Sequence, residues 1–91
     1  MAENPTTDAP KTHHLKTWPY YWDAVETGAK TFEIRKNDRG YHVGDVLVLH
    51  RWDPATETYT ENCRPLCKRV TFVMGTMGLD TGYVAMGLED E

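Results

Sequence analysis

At 91 residues the chain can build one small core and not two. No apolar run approaches the roughly 20 residues of a membrane span, and no basic segment followed by an apolar one opens the chain. A cytoplasmic location with no membrane partner is therefore expected. The net charge of −4 excludes a strongly basic coat for nucleic acid. Five acids sit at the ends (Glu3, Asp8, Glu89, Asp90 and Glu91), while residues 11–87 hold all ten Lys and Arg against nine acids. A near-neutral body can still carry a local basic pocket.

Residues 1–12 contain Pro5, Pro10 and little that is apolar, and are expected to be a disordered leader. His13-His14-Leu15-Lys16 is a short strand with Leu15 pointing inward. Adjacent histidines on a strand face opposite ways and do not share a metal, so no metal site and no cofactor is expected there. Residues 17–28 form the one strong helix. Pro19 suits its first turn, where an amide donor is not needed, and Gly28 suits its stop. Tyr21, Trp22 and Val25 are assigned to the core stripe. Trp18 and Tyr20 stand at the helix entrance, where an exposed ring can stack on a base.

The run Gly28-Ala29-Lys30-Thr31-Phe32-Glu33-Ile34-Arg35-Lys36 is the centre of the chain. Its alternation separates Phe32 and Ile34, expected to face the core, from Glu33 and Arg35, expected to project together on the other side. Lys, Glu and Arg so close together can grip a phosphate or a base edge. They can equally form an ion-pair network on a solvated face. Asn37-Asp38-Arg39-Gly40 is a turn; Arg39 can close over a ligand or pair with Asp38 or Asp45.

Val46–Trp52 reads as a buried strand, and residues 53–58 as a hairpin loop. Cys63 and Cys67, four apart with Pro65 between them, lack the spacing of a zinc site and are read as free thiols. Residues 68–74 form a strand with Val70, Phe72 and Met74 on one side. Residues 83–88 close the chain, ahead of an acidic tail at 89–91. One helix and five or six strands make an α+β domain over residues 13–88, whose sheet is expected to curl into a small β-barrel.

The pattern Gly28-x-Lys30-x-x-Glu33-x-Arg35, followed by Asn37-Asp38-Arg39 and Val43-Gly44-Asp45, resembles the signature of ASCH domains, relatives of the PUA domain. The wider frame includes His14, Lys16, Tyr21, Val25 and, near the end, Gly82–Met86. It is similar to a subgroup of short bacterial and phage proteins commonly labelled RNA-binding. The resemblance implies a PUA-like barrel and a pocket flanked by His14 and Lys16. The binding set is then Lys16, Trp18, Lys30, Glu33, Arg35 and Arg39, with RNA, a nucleotide or a modified nucleoside as partner.

Two other readings stand beside RNA binding. Some ASCH relatives are amidohydrolases acting on N4-acetylcytidine, and others are reported as ribonucleases. The resemblance puts the amidohydrolases' catalytic lysine at Lys30. Their threonine nucleophile falls at Glu33, where a carboxylate changes the mechanism; a water activated by Glu33, with Lys30 stabilising an oxyanion, is the form such chemistry would take. A protein-interaction module would instead show an exposed apolar patch and no response to RNA.

Overall fold

A computed structural model describes residues 9–91. Its elements are β1 (Thr12–Thr17), α1 (Pro19–Glu26), β2 (Phe32–Lys36), β3 (Val46–Asp53), β4 (Thr58–Tyr59), β5 (Leu66–Met74) and β6 (Tyr83–Asp90). The α+β class follows directly. Residues 1–8 of the expected leader lie outside the described residues, and β1 opens at Thr12, the leader's last position.

The sheet runs β1-β3-β5-β6-β2, with β4 added to β3. β1 and β3 are parallel, and every other pairing is antiparallel. The two edge strands, β1 and β2, are not paired with each other, so the expected barrel is not closed by backbone hydrogen bonds. Side chains span the opening instead: Arg35 Nη2 donates to Thr17 Oγ1 at 3.1 Å.

α1 carries the chain from one edge of the sheet to the other. Pro19 occupies the first turn, as its fixed φ and missing donor favour. Gly28, at φ 86°, takes the left-handed conformation that lets the chain leave the helix. Two contacts fasten α1 to β3. Trp22 Nε1 donates to the Leu49 carbonyl at 2.9 Å, and Arg51 reaches both Asp23 oxygens at 2.9 and 3.1 Å.

Leu15, Trp22, Val25, Tyr41, Leu47, Leu49, Val70, Val84 and Met86 form the core. Trp22 and Val25 bear out their helical spacing. Tyr21 does not; the helix turns it outward toward Lys30, and it is exposed. A register shift in β5 between Val70 and Phe72 alters the other expected stripe. The extra residue, Thr71, turns Phe72 to solvent and brings Val73 against the core in its place.

Two of the three acids of the expected tail, Glu89 and Asp90, belong to the last strand. β6 continues through Asp90, where Glu89 pairs with Arg69 at 2.8 Å and Asp90 pairs with Lys68. Cys63 and Cys67 are free thiols. No helix among the described residues is long and apolar enough to cross a membrane.

Candidate functional site

The orientation of β2 is the reverse of the sequence expectation. Glu33 stands opposite Met86, and Arg35 opposite Val84. Cross-strand partners point to the same face, and both β6 residues point into the core. Glu33 is therefore buried, and Phe32 and Ile34 are about half exposed on the outer face.

Burial of this carboxylate is made tolerable by its neighbours. One oxygen accepts from Lys30 Nζ and the other from Arg35 Nε at 2.9 Å. A buried charge without such partners would cost several kcal/mol. Lys30 is delivered by the turn after α1, where its own amide donates to the Ala24 carbonyl at 2.9 Å. Its ammonium lies 5.6 Å from the centre of the Tyr21 ring and 5.0 Å from that of Phe32. Both distances are within cation–π range. Arg35 is held by Glu33 on one side and Thr17 on the other.

This triad lies along an open cleft of about 760 Å³ between the end of β1, α1 and β2. Lys16, Trp18, Lys30, Glu33 and Arg35, five of the six expected binding residues, line it. Lys30 and Arg35 share one carboxylate, Glu33, in the cleft, and Lys16 stands at the rim with its ammonium over the Trp52 ring, 4.6 Å from the ring centre. Lys68, Arg69 and Arg51 are each paired elsewhere with an acid. Trp18 is 53% exposed at the cleft mouth and tilts over Tyr21, with 6.2 Å between ring centres.

Arg39 does not join this group. It lies outside the cleft, exposed, 3.9 Å from Asp38. His14 also departs from its implied place; it turns to His50 on the outer face of β1 and β3, 2.9 Å between ring nitrogens. Conversely, Thr17, Tyr21, Phe32, Ile34 and Tyr83 line the cleft, where the sequence pattern does not place them. Period-two alternation held a signal for Phe32, as an outward residue on an edge strand. Tyr83 comes near only through the pairing of its strand with β2.

A second polar cluster has a structural role. Asp45 is buried; it accepts from His13 Nε2 at 2.8 Å and from the backbone amides of Lys11 and His42 at 3.1 and 3.0 Å. Burial alone would raise its pKa, but these three donors outweigh it and hold the carboxyl below its usual value. Tyr41 packs edge-on against His13, and burial pushes its hydroxyl pKa up.

Among known proteins, the chain is similar to an uncharacterized 12.9 kDa protein in the GpA 3' region of Escherichia phage P2, with 48% identity over 42 residues. That match covers 46% of this chain and 38% of the phage protein, so the chain spans well under two thirds of its relative. A family model described as a domain of unknown function, DUF3850, matches residues 12–88, and the chain belongs to that family.

Proposed function

We propose that the chain is a binding module for single-stranded RNA or a nucleotide, built on a PUA-like, ASCH-type frame. One observation carries this reading: exposed aromatic rings and excess positive charge meet in one cleft at the gap between the two sheet edges. Glu33 fixes the Lys30 ammonium and the Arg35 guanidinium, whose remaining donors serve a phosphate. Trp18 and Tyr21 offer faces on which an unstacked base can lie. Lys16, at the rim, adds a further phosphate contact once its ammonium swings off the Trp52 ring. Three cations suit a segment of a few nucleotides rather than a long duplex.

Hydrolysis of a modified nucleoside, or of RNA, has less support. Both Glu33 oxygens already accept from cations, which makes the carboxylate a positioning group rather than a base aimed at water. Protein docking is a second reading favoured by one observation: Phe72, outside the cleft, is exposed on the outer face of β5.

The test is fluorescence anisotropy of a short labelled single-stranded RNA titrated at several salt concentrations. Binding is expected to weaken with salt, with a log–log slope of about −0.7 per phosphate contact. Lys30→Ala reduces that slope, and Trp18→Ala weakens binding by about 1–3 kcal/mol if the ring stacks on a base. Absence of any salt-dependent binding by the unaltered chain overturns the RNA reading. Self-association or protein binding that Phe72→Ser abolishes would then support docking.

A further inference from the structure

His13 and His14 point to opposite sides of β1, and the outward one, His14, finds a partner on another strand. Its Nδ1 lies 2.9 Å from His50 Nε2, with the ring planes within 26° of each other. The register puts Lys16, not His14, directly opposite His50. Lys16 is drawn aside onto the Trp52 ring, its ammonium 4.6 Å from the ring centre, which leaves His50 free to face His14. Tyr59 backs the His50 ring edge-on, at 5.9 Å between centres. Neither imidazole is paired with a carboxylate among the described residues.

We propose that His14 and His50 form a two-imidazole site for a late first-row divalent cation such as zinc, nickel or copper. Imidazole is a favoured ligand for these ions. With zinc–nitrogen bonds of about 2.0–2.1 Å, two nitrogens on one ion stand roughly 2.9–3.4 Å apart between right-angled and tetrahedral geometry. The observed separation is at the short end of that span. The parallel β1–β3 ladder fixes both backbones, and a small swing of the half-exposed rings aims both lone pairs at one point. The ring that donates the present hydrogen bond keeps its proton by moving it to its far nitrogen. No group of three or more His, Cys, Asp or Glu is gathered among the described residues. Water therefore fills the remaining positions, and the ion is exchangeable rather than a structural centre.

The experiment is a calorimetric titration of zinc, and separately nickel, into the full chain carrying Cys63→Ser and Cys67→Ser, because free thiols also bind these ions. One ion per chain is expected. His14→Ala and His50→Ala each weaken binding at least tenfold, whereas His42→Ala, an exposed histidine outside the pair, leaves it unchanged. Circular dichroism melts establish that each variant is folded. No binding to the thiol-free chain overturns the proposal, and so does binding that survives both His14→Ala and His50→Ala.

Discussion

At the scale of single residues, two buried carboxylates bind separate parts of the chain together. Glu33 joins Lys30, at the exit of α1, to Arg35 on β2. Glu33→Gln removes the charge between two cations and leaves them facing each other. The expected loss is about 3 kcal/mol of stability, read from urea denaturation. Lys30→Ala costs less, because Arg35 still pairs with the carboxylate. Asp45 predicts a pH dependence. Its folded pKa is depressed, so its stabilisation is fully present above the unfolded value of about 3.9 and is lost as pH falls through the lower folded value. Asp45→Asn should flatten that acid limb of the thermal melting temperature. The charge pattern of residues 30–35 was legible in the sequence, but its direction was not. Alternation sorts residues into two faces; which face is inside depends on the strand alongside, here β6.

Elements show how one inserted residue redirects a surface. The bulge at Thr71 sends Phe72 outward and crowds Gly87 on the neighbouring strand. A β-carbon at Gly87 would stand 2.8 Å from Thr71 Oγ1 and 3.7 Å from Phe72 Cβ. Gly87→Ala is therefore expected to cost about 1 kcal/mol. Adding Thr71→Ala should restore most of it, a coupling that a double-mutant cycle on denaturation free energies measures. The helix was the most readable element, since Pro19, Gly28 and the Trp22/Val25 spacing all act locally. Tyr21 departs from the expected core stripe because helical spacing gives the width of a stripe but not its centre. Lys30 and the cleft claim the side of α1 that carries Tyr21.

Over the whole molecule, a small core is shared by nearly every element, so local damage should spread. Leu47, fully buried on β3, lies beside both β1 and β5. Leu47→Ala is expected to cost about 3 kcal/mol and to lower the midpoint of a single cooperative transition. A loss confined to one probe, such as tryptophan fluorescence, would contradict a shared core. The unclosed sheet makes the cleft: β1 and β2 are its two unpaired edges, yet Arg35 reaches Thr17 across the opening.

The sequence by itself determined the α+β class, the positions of most strands, the helix with its two ends, and the clustering of Lys30, Glu33 and Arg35. These rest on periodicity, on proline and glycine, and on spacing along one chain, all of which are local. Only the tertiary structure decided that Glu33 is buried, that Tyr21 and Phe32 border the cleft, that Arg39 stands apart, and that His14 meets His50. Those facts depend on which distant strand lies alongside, and cross-strand registry leaves no mark on a single strand's pattern.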